Sequence, residues 1–213
     1  NGQDKRNIPN FVPYNQPMKI LSVDNIASIS GGFEHSLLVK ENGSFWGMGD
    51  NWKGQLGINK NESTYTELDE TGSPYALENI PVQILSSGVS QISAGLSSSI
   101  FVKTDGSLWG MGSNSDGQLG DGSTIDRSTP VQVVPSGVIQ VSSHSNFTLF
   151  VKEDGSIWGM GSNAFGQLGL PAASYLTPQL IVPFGVNNVA TGSGHALFIK
   201  DDGSLWAMGA NDF

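Results

Sequence analysis

Cysteine is absent from all 213 residues, so neither a disulfide nor a thiolate-ligated metal can belong to this chain. Basic side chains are scarce. Ten Lys plus Arg face 19 Asp plus Glu, for a formal net charge of −9, and charged residues make up only 14% of the whole. Neutralising a phosphate backbone takes clustered cations, so nucleic-acid binding is not expected. No run of 18 apolar residues exists, so no helix should cross a membrane. The chain starts Asn1-Gly2-Gln3-Asp4, without Met or a signal-like segment, as expected of a mature form, an excised domain or part of a longer chain. No segment carries a helical period of apolar residues.

What is abundant is glycine, at 28 residues. Without a three-residue period, that many glycines imply many tight turns. The turns recur. Phe45-Trp46-Gly47-Met48, Leu108-Trp109-Gly110-Met111, Ile157-Trp158-Gly159-Met160 and Leu205-Trp206-Ala207-Met208 align, with Trp intervals of 63, 49 and 48 residues. The longer first interval places an insertion at 58–79. A repeat of roughly 50 residues is the mark of stacked units that cannot bury their apolar faces alone.

Each unit reads as four strands. One follows a proline (Met18–Leu21, Val82–Leu85, Val131–Val134, Gln179–Val182). A second is short, a third is apolar and ends in Lys (Ser36–Lys40, Ser99–Lys103, Thr148–Lys152, Ala196–Lys200), and the fourth holds the Trp. Asn42-Gly43, Asp105-Gly106, Asp154-Gly155 and Asp202-Gly203 separate the last two strands. Such pairs tolerate the positive φ angles of a tight hairpin turn. Continuous apolar strands such as Ile100-Phe101-Val102 suit positions covered on both faces. The expected fold is therefore all-β: a β-propeller of four-stranded antiparallel blades at about 17–50, 81–113, 130–162 and 178–210, after an N-terminal extension at 1–16.

Gly32–Leu37 followed by Asn42–Gly57, then Asp105–Gly120, Asp154–Gly169 and Asp202–Asn211, resemble the signature of the regulator of chromosome condensation repeat family. The resemblance covers about 17–213 and implies closed rings, typically of seven blades. Four blades would then be a partial ring, completed by further blades or by a second chain. The family's founding member is a nucleotide-exchange factor for a small GTPase and binds chromatin. This chain lacks a comparable basic tail, and the repeat itself is architecture that transfers no activity.

Few residues stand out from that background. Gly-Gln-Leu-Gly at Gly54, Gly117 and Gly166 is not followed by Lys-Ser/Thr or a helix, so it reads as a structural turn and not a phosphate cradle. Trp46, Trp109, Trp158 and Trp206 recur once per unit and read as inter-blade packing. Trp52 lies outside the pattern, on a loop. His35 and His195 are equivalent and lack convergent partners for catalysis or metal binding. The acidic hairpin turns lack the alternating oxygen ligands of a calcium loop. The insertion is the most individual segment, with Glu67, Asp69 and Glu70 between Tyr65 and Tyr75. Together with Trp52 these are the candidate partner-binding residues, suited to a basic protein surface.

No catalytic centre, cofactor or metal is expected. The expected function is protein recognition through loops on one rim. The alternatives are nucleotide-exchange regulation of a small GTPase, inhibition of a secreted enzyme, and carbohydrate binding. The polar, weakly charged surface suggests an extracellular or cell-envelope bacterial protein, with a cytoplasmic location as the alternative.

Overall fold

A computed structural model describes residues 20, 24–60 and 77–211 of the chain. Among these residues every regular element is a strand, and the strands form four antiparallel sheets met one after another along the sequence. The first sheet holds β1 (Ile26–Gly31), β2 (His35–Lys40), β3 (Phe45–Asp50) and β4 (Leu77–Leu85). The second holds β5 (Val89–Ala94), β6 (Ser98–Lys103), β7 (Leu108–Gly112) and β8 (Arg127–Val134). In the third are β9 (Val138–His144), β10 (Phe147–Lys152), β11 (Ile157–Ser162) and β12 (Ser174–Val182). The fourth has three strands among the described residues: β13 (Val186–Thr191), β14 (His195–Lys200) and β15 (Leu205–Gly209).

The blades start one strand later than the sequence suggests. The proline-led strand returns from the Trp strand that precedes it, pairing Trp46 with Gln83, Trp109 with Gln132 and Trp158 with Leu180. It therefore closes the preceding blade and does not open the next, and the ranges 17–50, 81–113, 130–162 and 178–210 are corrected to 26–85, 89–134, 138–182 and 186–209. Proline is also not at the strand start. Pro81 sits where the register jumps between Gly47↔Val82 and Gly49↔Glu78, and Pro130 and Pro178 occupy the matching breaks. An edge strand with a local ladder break loses nothing to a missing N–H. The described part of β4 begins at Leu77, so 77–79 of the expected insertion belong to the sheet. The expected strand Met18–Leu21 lies outside the described residues except for Ile20.

Neighbouring sheets pack face to face, and the core is divided among the joints between them. At the first joint Leu37, Val39 and Phe45 meet Val89, Phe101 and Met111. At the second, Ile100, Val102, Leu108 and Leu119 meet Val138, Val141, Phe150 and Met160. At the third, Leu149, Val151, Ile157 and Leu168 meet Val186, Val189 and Phe198. A sheet whose two faces are both apolar needs a neighbour on each side, which is what a propeller provides.

The first strands of successive blades lie against one another and are innermost. A hydroxyl ladder ties them. Ser30 Oγ accepts from the Ala94 N–H at 3.0 Å, Ser93 Oγ from Ser143 N–H at 2.8 Å, and Ser142 Oγ from Thr191 N–H at 3.0 Å. Gly-Gln-Leu-Gly makes the outer tie. Gly54 and Gly117 have φ of +85° and +79°, and a Cβ on either would fall 2.5–2.6 Å from β8 or β12 of the next blade, so only glycine allows this approach.

Candidate functional site

Antiparallel pairing places the β1–β2 turn and the β3–β4 connection of each blade at the same end. The β2–β3 hairpin lies at the other. These two ends are the rims on which a ligand or partner can meet the ring.

The hairpin end is built locally and repeats almost unchanged. Asp154 Oδ1 accepts from Ser156 N–H at 2.9 Å and from Ser156 Oγ–H at 2.5 Å. Ser156 Oγ in turn accepts from Trp158 Nε1–H at 2.9 Å. The same chain links Asp105, Ser107 and Trp109, and Asp202, Ser204 and Trp206. Hydrogen bonds from these serines hold the carboxyls of Asp105, Asp154 and Asp202 below the usual carboxylate range. Lys40, Lys103, Lys152 and Lys200 lay their ammonium groups over the Trp rings at 4.0–5.0 Å from the centroid. The opposite cross-strand neighbour, Phe101, Phe150 or Phe198, stacks within 8–12° of parallel to its Trp. Trp46, Trp109 and Trp158 are half-buried, whereas Trp206 is 48% exposed. Each ring is thus occupied by a cation, a hydroxyl and a neighbour of its own repeat.

The loop end has a rigid base and a variable tip. Asn51, Asn114 and Asn163 are fully buried. Their side-chain oxygens accept from Leu56, Leu119 and Leu168 N–H at 2.7–3.0 Å, while their amide groups donate back to the loop they begin. In the second blade Arg127 also grips Asp121 at 2.5 Å. Burial raises the Asp121 carboxyl, but hydrogen bonds from Ser123, Arg127 and Asn114 together bring it below the usual range.

Trp52 stands on this end, immediately after β3. It is half-buried, and its N–H donates to Asp50 Oδ1 at 3.3 Å. Tyr65, Glu67, Asp69, Glu70 and Tyr75 belong to the same connection and lie outside the described residues. Sequence reasoning missed the inner turns. Phe33 is 72% exposed and Leu96 41%, and their backbones meet where Phe33 N–H donates to Leu96 O at 3.4 Å. Leu96 N–H donates on to Ser145 O at 3.2 Å, so successive turns form one continuous inner rim. A bulky apolar residue in a Gly-Gly-Phe-Glu turn was the available signal.

His35, beside this rim, is buried in the first joint. Its Nε2 lies 2.9 Å from Ser99 Oγ, whose own proton goes to Gln55 O at 2.7 Å. The imidazole therefore carries its proton on Nε2, and buried Nδ1 has no partner. Burial pushes its pKa down to about 4, which keeps it neutral. Among the described residues no three His, Asp or Glu side chains gather as metal ligands, and no helix is long and apolar enough to cross a membrane.

The repeat geometry is matched by a family model described as the regulator of chromosome condensation (RCC1) repeat, over residues 26–55, 89–118, 138–167 and 186–213. These matches begin at the corrected blade starts and cover more than half the chain. The chain belongs to the RCC1 repeat family. Among curated RCC1-type relatives, the Ultraviolet-B receptor UVR8 of Arabidopsis thaliana is 34% identical over 117 residues, which is 53% of this chain and 23% of the receptor. Among solved structures, human WBSCR16 superposes with a TM-score of 0.70 at 24% identity, over 88% of this chain and 49% of that one. Prp20p of Saccharomyces cerevisiae, whose binding to Gsp1p and histones was studied with its structure, gives 0.71 at 22% identity over 88% and 45%. The chain spans about a quarter of UVR8 and about half of either solved structure, so these likenesses establish the propeller and its repeats.

Proposed function

We propose that this chain is a non-enzymatic recognition scaffold that binds a protein through the loop end of its blades. One observation carries the reading: Phe33 and Leu96 are both exposed on adjacent turns joined by a backbone hydrogen bond, at the end from which the longest connection also emerges. An interface of this type needs a rigid frame, an apolar or aromatic centre and a polar rim. The sheets give the frame and Phe33 and Leu96 the centre. The sequence of the long connection adds the acidic residues Glu62, Glu67, Asp69 and Glu70. The partner that fits is a protein with a basic surface and an apolar protrusion. The hairpin end offers less, because each of its Trp rings already has a lysine over it.

The test compares the two ends by surface plasmon resonance against a partner purified by crosslinking. Phe33→Ser with Leu96→Ser should weaken binding at least tenfold and leave the thermal midpoint unchanged. Glu153→Gln with Asp154→Asn, at the hairpin end, should not weaken it. The reverse pattern overturns the assignment.

A further inference from the structure

Four hairpins repeat one turn, and the first of them lacks its carboxylate. Where Asp105, Asp154 and Asp202 stand in the other blades the first blade has Asn42, and each of the four is followed by glycine. Each aspartate accepts two hydrogen bonds at one oxygen, from the N–H and the hydroxyl of the serine two residues on. Asn42 Oδ1 accepts the Ser44 N–H alone, at 3.0 Å. Ser44 Oγ still accepts from Trp46 Nε1–H at 3.0 Å, but no bond joins it to Asn42, and the Asn42 amide nitrogen makes no hydrogen bond. Asn42 is exposed at the hairpin tip. So are Asp105 and Asp154, whose blades are covered on both sides, so this exposure belongs to the hairpin itself.

An asparagine amide followed by glycine is open to attack by the glycine's backbone nitrogen, because no Cβ on the second residue obstructs the five-membered ring that forms. Gly43 N–H donates to Lys40 O at 2.8 Å and closes the turn, so the attack waits on local opening of a solvated tip, where opening costs least. The three aspartates resist the same closure. Serine hydrogen bonds hold their carboxyls ionised, and a carboxylate is a poor target for a nucleophile.

We propose that Asn42 is a self-modification site, at which the Gly43 nitrogen displaces the side-chain amide and the first hairpin changes with the age of the molecule. The Gly43 nitrogen bonds to Asn42 Cγ and gives its proton to water, and the side-chain nitrogen leaves as ammonia. Water then opens the ring at one of its two carbonyls. Opening one way leaves aspartate. It adds one negative charge and can accept both the N–H and the hydroxyl of Ser44, with Lys40 beside it as Lys103, Lys152 and Lys200 stand beside their aspartates. Opening the other way leaves isoaspartate, which lengthens the main chain by one atom inside the turn. Gly43 O accepts from Val89 N–H of the second blade at 3.1 Å, as Gly106 O does from Val138 and Gly155 O from Val186. Isoaspartate therefore displaces the atom that ties the hairpin to the next blade. One product completes the hairpin, and the other loosens the first joint.

The test holds the native chain in mildly alkaline buffer, maps its peptides over time by mass spectrometry and separates the products by ion exchange. Asn42 should become a mixture of aspartate and isoaspartate, while Asn187, exposed on β13 and followed by Asn188, keeps its amide. The map also separates Asn42 from Asn1, the other asparagine that precedes a glycine. Asn42→Gln keeps an amide but would need a larger ring, so this position should stay a single species. Asn42→Asp should melt about 2–4 °C above the wild type, as for one added hydrogen bond in a domain of this size. The purified isoaspartate fraction should melt below the wild type. An Asn42 amide that lasts as long as that of Asn187 overturns the site. Asn42→Asp melting at or below the wild type, or the isoaspartate fraction melting at or above it, overturns the opposed effects of the two products.

Discussion

The third and fourth blades carry nearly the same repeat and differ in what covers them. In the third, Val151 and Ile157 are fully buried against the fourth. In the fourth, Ile199 and Leu205 occupy the same positions and face outward, with Leu205 67% exposed. The turn chemistry is unchanged, since Asp154-Ser156-Trp158 and Asp202-Ser204-Trp206 make the same bonds within 0.1 Å. Local structure in this protein therefore belongs to the repeat, and stability belongs to the joint between repeats. That separation is the defining property of a quasi-one-dimensional array.

The largest expected effect follows directly. Ile157→Ala should cost about 2–5 kcal/mol, because it removes methylenes from a closed joint that relaxes only in part. Leu205→Ala in the monomer should cost less than about 0.5 kcal/mol, as for an exposed site. Denaturant unfolding of both variants measures the difference. Equal costs would mean that the outward face of the fourth blade is covered in solution.

Next comes the pH dependence of the first joint. His35 is neutral in the fold, with its pKa lowered by burial from 6.5 to about 4. The unfolded chain binds a proton there first, so stability is full above pH 6.5 and falls as pH drops toward 4. The most that this one group can remove is about 3 kcal/mol. His35→Gln can still donate to Ser99 and cannot titrate. Its unfolding free energy should change less over that pH window than the wild type's, and parallel profiles would show that the proton is accommodated in the fold.

How much of this was open to sequence reading depends on range. Hairpins marked by Asn-Gly and Asp-Gly, the strand character of Leu149-Phe150-Val151 and the number of repeats are short-range features, readable from residue types and spacing. Blade membership of the proline-led strands is not. Val82–Leu85 lies much nearer in sequence to Val89–Ala94 than to Phe45–Asp50, so proximity points to the wrong sheet, and the pairing is decided by which strand leaves an edge open and where the register breaks at Pro81. The candidate site divides the same way. Trp52 and the acidic connection were visible as departures from the repeat. Phe33 and Leu96 were hidden because each looks like one variable residue of a turn, and only the ring brings the two turns together.

A smaller effect tests the inner ladder. Ser142→Ala removes one bond across the third joint, where Ser142 Oγ accepts from the Thr191 N–H and lies 2.8 Å from Thr191 Oγ1. The expected loss is about 1 kcal/mol. Ala190→Ser adds the missing ladder hydroxyl on the open side and should leave the monomer's stability unchanged.

The finest comparison asks whether turn chemistry is independent of the joint. Serine hydrogen bonds hold the Asp154 and Asp202 carboxyls below the usual range, one in a covered blade and one in an open blade. Ser156→Ala and Ser204→Ala should therefore raise the two carboxyl pKa values by similar amounts, as followed by NMR titration of the side-chain carboxyl carbons. Their stability effects should differ. Ser156 is buried and anchors a half-buried Trp158 that packs against the second joint, so its loss should cost about 1 kcal/mol. Ser204 anchors the exposed Trp206, and its loss should be barely measurable. Unequal pKa changes would mean that the joint reaches into the turn, and the repeat could then no longer be treated as a local unit with a separate packing term.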